Sequence, residues 1–203
     1  MSDIHIGLNQ RENWYQQKAH ERYVQAILRY IAAKGKTVRD VVLLGDLFDT
    51  WEYASENSVP EPEVFLQECI KANAPLFRPG NDGDFVSVLN AIGGDLWYIN
   101  GNHDMSIPVG AVNKALNLTG KLIQGNPDPL KNFVYPSSDP NIYAEHGHRF
   151  SLMCRPDKAG NTDNGYYPLP LGYYVSRIVG TYCKNILAQT RPPLISRTRG
   201  IHR

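Results

Sequence analysis

The sequence predicts an α/β (α+β) fold in which helices alternate with the strands of a parallel sheet. Two short apolar runs lead to this prediction, Val41–Leu44 and residues 96–100, and both are typical of buried strands. An amphipathic helical pattern lies directly before the first run. A helix followed by a buried strand is half of a βαβ unit, so we expect the two strands to be parallel.

The composition is that of one globular domain. A chain of 203 residues can bury a core that needs no disulfide or metal to hold it, and 42% apolar with 20% charged residues is ordinary for such a protein. The formal net charge of +1 makes nucleic acid a less favoured partner. The sequence shows no apolar run of membrane-spanning length and no secretory signal pattern, and its three cysteines are widely spaced. We therefore expect a cytoplasmic protein.

The chain opens with the pair Asp3-x-His5. Residues i and i+2 of an extended segment point to the same side, so both side chains could reach one cation. The alternative is an exposed, frayed terminus. Residues 12–34 then predict an amphipathic helix that ends at Gly35. Its apolar face is expected to lie in the core against a sheet, and it consists of Ala19, Tyr23, Ala26, Ile27, Tyr30 and Ile31.

The first strand ends in Gly45-Asp46, and Asp49 follows three residues later. A carboxylate at the C-terminal end of a buried strand lies where open α/β sheets bind their ligands. The alternative is a turn aspartate that caps the next segment. Polar residues also end the other predicted strands, and this favours the interpretation of Asp46 as a ligand.

Short helices are predicted at residues 63–72 and 84–92, and the second strand then ends in Asn102-His103-Asp104. An amide oxygen and an imidazole can ligate a metal. The carboxylate of Asp104 could orient that imidazole, or it could cap a helix that runs to about residue 116. A third strand is predicted at residues 141–145, and its end carries His146-Gly147-His148.

These four blocks together resemble the calcineurin-like metallophosphoesterase superfamily, from the first residues to about residue 150. The resemblance implies a β-sandwich flanked by helices, with a two-metal site at the strand ends. Mixed Asp, Asn and His donors suit Mn, Fe or Zn better than Ca or Mg, so two such divalent ions would be the cofactors. The implied metal ligands are Asp3 and His5 for one ion, Asn102 and His146 for the other, and Asp46 as the bridge. The implied catalytic residues are His103 and Asp104, with Asp49 and His148 in supporting positions around the metals or substrate.

Two departures from the family pattern are expected to weaken the site. The family places an apolar strand before Asp-x-His, where this chain has only Met1-Ser2, and a Gly-His-x-His block at its end, where this chain has Phe150 in place of the second histidine. We therefore expect a chain truncated at both ends, with an incomplete core at residues 1–150 and one ligand missing from each metal. Reduced metal affinity follows as a hypothesis.

Residues 151–203 are interpreted as a helical cap segment followed by a basic tail. Apolar residues at helical spacing between Leu171 and Tyr182 predict a helix, which is either one more core helix or a lid over the site. A helical, apolar lid in this position resembles that of the bacterial UDP-2,3-diacylglucosamine pyrophosphohydrolases, and residues 45–51 are also similar to theirs.

The sequence therefore predicts a metal-dependent phosphoesterase that cleaves a phosphoester or pyrophosphate bond with a metal-activated water. The substrate would be a phosphoester such as a nucleotide-linked lipid, acted on in the cytoplasm or at the periphery of a membrane. One alternative is a DNA-repair-type nuclease of the same superfamily, which would need a basic face. Another is a non-catalytic, truncated metal-binding remnant.

Overall fold

A computed structural model describes residues 1–10, 13–51, 61–80, 83–128, 131–156 and 169–189. These residues form a mixed fold of helices and strands, which confirms the coarse α+β prediction. The elements are α1 (Gln17–Lys34), β1 (Val41–Leu44), α2 (Pro62–Ala72), α3 (Ala74–Phe77), α4 (Phe85–Ala91), β2 (Leu96–Ile99), α5 (Val109–Ala115) and α6 (Leu171–Gln189).

The two predicted central strands are confirmed, and they pair in parallel. Val41 lies opposite Leu96, and the register continues to Leu44 opposite Ile99. Val41 and Leu43 are buried while the residues between and after them are half-buried, so β1 is covered more deeply on one face than on the other. The parallel pairing brings the C-terminal ends of both strands to the same edge of the sheet.

The N-terminal segment lies along the end of β1 and is not frayed. The Leu44 amide donates to the Met1 carbonyl at 2.6 Å, and the Ile6 amide donates to the Leu47 carbonyl at 2.8 Å. Ile6 is fully buried and forms a parallel bridge with Phe48. These contacts hold the Asp-x-His pair beside the strand end.

The prediction of a strand at residues 141–145 is wrong. Only Glu145 pairs there, through an isolated antiparallel bridge with Val134. Ile142 and Tyr143 are both exposed, so the segment buries no apolar face that could hold it in a sheet.

The prediction of which face of α1 is buried is also wrong. Tyr23, Ile27 and Tyr30 are exposed, whereas Leu28 is fully buried. The helix carries a second apolar stripe through Leu28, and this stripe packs on α4 rather than on the sheet. The helix begins at Gln17, later than predicted, and it ends at Lys34 with Gly35 as its cap, as predicted; the φ of Gly35 is 53°.

The predicted helices at residues 63–72 and 84–92 are confirmed as α2 and α4. Asp84 caps α4 because its carboxylate accepts a hydrogen bond from the Ser87 amide at 2.7 Å. These helices, α3 and the two strands enclose a core of aromatic and aliphatic residues, among them Phe48, Phe65, Phe77, Phe85 and Tyr98.

The predicted C-terminal helix is confirmed as α6, but it is not a core helix. Its apolar side chains face solvent, among them Leu171, Tyr174, Val175, Ile178 and Tyr182. The basic tail predicted from residue 191 onward lies outside the described residues. Within the described ranges, no helix combines the length and the apolar character that crossing a membrane requires.

Candidate metal centre

The Asp-x-His pair is joined to the end of β1 by backbone hydrogen bonds. The Asp3 amide donates to the Gly45 carbonyl at 3.1 Å, and the His5 amide donates to the Asp46 carbonyl at 2.9 Å. The end of β2 lies beside them, since the His103 amide donates to Oδ1 of Asp46 at 2.8 Å. Three segments that are distant in sequence therefore meet at the carboxylate of Asp46.

The backbone at this meeting point is strained. Asp3, His5 and Asp46 have φ values of 55°, 55° and 53°, in the left-handed region that residues with a side chain rarely adopt. Such a conformation costs about 1–2 kcal/mol per residue. Strain of this kind concentrates at functional sites, where the surrounding structure holds it in place.

The Asp46 carboxylate is shared by two clusters of side chains. One cluster is His5, Asp46 and His103, and the other is Asp3, Asp46 and His146; within each, the ligand atoms lie within 4.8 Å of one another. Oδ2 of Asp46 is 3.2 Å from Nε2 of His146 and 3.7 Å from Nε2 of His5. Carboxylates and imidazoles at this spacing suit Mn, Fe or Zn, so the residues present fit a divalent cation in either cluster.

This grouping differs from the one that the family resemblance implies. Asp3 lies with His146, and His5 lies with His103. The Asn102 side chain joins the second group, since its Oδ1 is 3.2 Å from Nε2 of His146. The four other implied metal ligands are thus brought together around Asp46, but they are paired differently.

Proton equilibria at the site reflect the closeness of carboxylates and imidazoles. Burial would raise the pKa of Asp46, but the hydrogen bond to His146 and the charges of His103 and His146 lower it below its ordinary value. Burial would lower the pKa of His146, and the hydrogen bond and charge of Asp46 raise it to about 9. The pKa of His5 is also raised, because its contact with Asp49 outweighs its burial. An imidazolium therefore balances the charge of the Asp46 carboxylate in the metal-free protein.

Asp49 links the two histidines of the first cluster. Its Oδ2 lies 3.2 Å from Nδ1 of His5, and its Oδ1 lies 2.9 Å from Nδ1 of His103. Burial opposes ionisation of Asp49, but the two histidines hold the pKa of its carboxyl well below the usual range. Because a carboxylate at Nδ1 fixes the tautomer and the orientation of an imidazole, Asp49 leaves Nε2 of each ring unengaged, and Nε2 of His5 lies 3.7 Å from Oδ2 of Asp46.

Asp104 does not have either of the local roles predicted for it. Helix α5 begins only at Val109, so Asp104 does not cap it, and Asp49 rather than Asp104 contacts the ring of His103. The fully buried Asp104 carboxylate instead accepts hydrogen bonds from the Leu47 amide at 2.9 Å and the Gly101 amide at 2.7 Å. It therefore ties together the turns that follow β1 and β2.

His148 lies outside both clusters. It is 4% exposed, and neither ring nitrogen has a hydrogen-bond partner among the described residues. Its ring packs edge-on against Phe133 at 4.5 Å and lies 5.4 Å from the His146 ring. Burial and the neighbouring charge of His146 lower its pKa to about 4, so His148 is neutral at physiological pH. Phe150, where the resemblance would place a second histidine, is 80% exposed.

Sequence reasoning missed Trp51 as part of the site. Its indole stacks on the imidazole of His103, with ring centroids 4.0 Å apart and an interplanar angle of 20°. The available signal was its position two residues after Asp49, on the same turn as the site carboxylates.

No family model, curated protein or solved structure matches this chain.

Proposed function

We propose that this protein is a dimetal hydrolase of the calcineurin-like metallophosphoesterase type, which cleaves a phosphoester or pyrophosphate bond. The observation that carries this proposal is the Asp46 carboxylate shared between two clusters of ligand atoms. A carboxylate has two oxygens and can serve two cations, which is the arrangement of a two-metal hydrolase. The sandwich fold and the cytoplasmic location belong to the same proposal.

The chain's own residues divide into cation ligands and a proton donor. Asp3, Asp46 and His146, with Asn102 beside them, would hold one divalent ion, and His5 with Asp46 would hold the other. Two such ions, when bound, supply positive charge for the phosphoryl oxygens and lower the pKa of a water to near neutrality.

His103 is the residue assigned to proton transfer. Its Nδ1 is engaged by Asp49, which leaves Nε2 to donate a proton to the leaving oxygen or to hydrogen-bond the phosphoryl group. A ligand atom of His103 also lies within 4.8 Å of those of His5 and Asp46, so the geometry permits His103 to ligate a cation instead. The two roles predict different effects when His103 is replaced. Loss of His103 should lower kcat without loss of metal in the first case, and with loss of metal in the second.

The substrate class is proposed from α6. Its exposed apolar side chains begin next to Trp51, which itself contacts His103, so apolar surface lies near the site. A phosphoester attached to a lipid, such as a nucleotide-linked lipid, would suit a polar centre beside such a surface.

The proposal is tested by following hydrolysis of an aryl phosphodiester while Mn²⁺ is titrated. We expect metal-dependent turnover that is abolished in Asp46→Asn, since the amide keeps the shape but cannot bridge two cations. Glu63→Gln is the matched control because Glu63 is exposed and paired only with Lys114 in the described contacts. Metal binding without turnover on any phosphoester would instead favour a non-catalytic metal-binding protein.

A further inference from the structure

The His103 imidazole is held in two independent directions. Asp49 engages Nδ1 at 2.9 Å, and Trp51 stacks on the face of the ring with centroids 4.0 Å apart. A hydrogen bond at one nitrogen fixes where the ring points but still permits it to tilt about that bond. A flat surface stacked on the ring removes the tilt, so the two restraints together fix the position of Nε2.

Trp51 is built into the same network as the carboxylate. Its backbone amide donates to Oδ1 of Asp49 at 3.0 Å, and this oxygen also contacts His103. The indole is 2% exposed, and its Nε1 has no hydrogen-bond partner among the described residues. The ring position of Trp51 is therefore set by packing and stacking rather than by a hydrogen bond from the indole.

The first turn of α6 packs against Trp51. A Cβ atom added at Gly172 would lie 3.0 Å from the indole ring and 2.7 Å from the Met153 carbonyl oxygen. The Gly172 amide donates to that same carbonyl at 2.7 Å, and the Tyr173 ring meets the indole edge-on at 6.2 Å. The glycine permits an approach that a larger residue would prevent, so the Trp51 side chain connects α6 to His103.

We propose that Trp51 is a positioning residue that fixes the tilt of the His103 imidazole and couples it to the first turn of α6. The predicted effect on turnover rests on the proposed function, whereas the predicted ring geometry does not. An occupant that moves α6 would thereby change the orientation of His103. Substrate bound beneath α6 and the proton donor would be linked in this way.

The test uses four variants of the full chain. Trp51→Leu removes the stacking surface, and Trp51→Phe retains an aromatic face of smaller size. Gly172→Ala pushes α6 away from the indole, and Gly180→Ala is its matched control because an added Cβ at that position of the same helix meets nothing within 4 Å. The first readout is the NMR signal of the His103 ring proton in the metal-free protein, which a stacked indole shifts upfield.

We expect this signal to move downfield in Trp51→Leu and Gly172→Ala, and to stay in place in Gly180→Ala. With an aryl phosphodiester and Mn²⁺, kcat should fall by roughly tenfold to a hundredfold in the same two variants while KM changes little, and Trp51→Phe should recover most of it. A His103 signal that stays in place in Gly172→Ala would overturn the inference, because this variant keeps the indole whereas Trp51→Leu removes the ring current itself. If the variants show these shifts but the wild-type protein hydrolyses no phosphoester, the proposed function fails and the positioning inference stands.

Discussion

The imidazole of His146 lies against the backbone of Gly45, in the space that a Cβ atom on Gly45 would occupy. Nδ1 of His146 is 3.0 Å from the Leu44 carbonyl oxygen, which can only accept a hydrogen bond, so Nδ1 carries the proton. Nε2 is then directed to Asp46 at 3.2 Å. A histidine whose second nitrogen donates to a carbonyl is in the usual arrangement of a metal ligand.

Replacing Gly45 by alanine should therefore displace His146 from the Asp3–Asp46–His146 cluster. We expect Mn²⁺ affinity, measured by isothermal titration calorimetry, to fall by about tenfold or more. Gly147→Ala is the control, because Gly147 has a φ of 85° against 84° for Gly45 but an added Cβ there meets nothing within 4 Å. Equal losses in the two variants would attribute the effect to backbone strain and contradict the displacement of the ring.

Replacing Asp49 by asparagine should destabilise the metal-free protein. Asp49 is buried, and its carboxylate lies within hydrogen-bond distance of Nδ1 of both His5 and His103. Its depressed pKa shows that the carboxylate form is favoured in the folded state. We expect the free energy of unfolding, measured by urea denaturation at pH 7, to fall by about 2 kcal/mol. Glu63→Gln, which alters an exposed surface pair, should change it by less than about 0.5 kcal/mol. An unchanged stability in Asp49→Asn would show that the two histidines do not depend on this carboxylate.

The positions of the site residues in sequence predicted that they meet, but not how they pair. Parallel strands share one edge, so Asp46 and Asn102 had to lie near each other once β1 and β2 were identified. The pairing of Asp3 with His146 depends on left-handed backbone conformations, which no local pattern in this sequence indicates. The prediction of the buried face of α1 is wrong for a related reason. Two apolar stripes on this helix compete for burial, and packing against α4 decides between them.

His148 should make the protein less stable in acid. Its pKa is lowered to about 4 in the folded state, against about 6.5 when exposed, so the unfolded chain takes up the proton first. Stability is then lost as the pH falls from about 6.5 towards 4, by about 2 kcal/mol between pH 7.5 and 5.0. Urea denaturation with a chelator present should show this loss in the wild type and a smaller one in His148→Leu, which has no group to protonate. A parallel decline in both proteins would assign the acid sensitivity to other groups.

Cation binding should release a proton from His146. Because Asp46 raises the pKa of His146 to about 9, this imidazole is protonated at pH 7.5 in the metal-free protein. The pairing stabilises the folded state fully below pH 6.5, the value for an exposed histidine, and this stabilisation is lost as the pH rises through about 9. A cation needs the neutral form of Nε2, so its apparent affinity should rise by up to about tenfold per pH unit until the pH reaches about 9.

Isothermal titration calorimetry with Mn²⁺ in buffers of different ionisation enthalpy measures this proton directly. We expect His146→Gln to release about one proton fewer than the wild type at pH 7.5, since the amide carries no titratable proton. His20→Gln is the matched control, because His20 lies on the exposed surface of α1 and accepts a hydrogen bond only from the Gln16 amide in the described contacts. If His146→Gln and the wild type released the same number of protons, the proton displaced by the cation would come from another group. Asp46 and His146 would then not share a cation site.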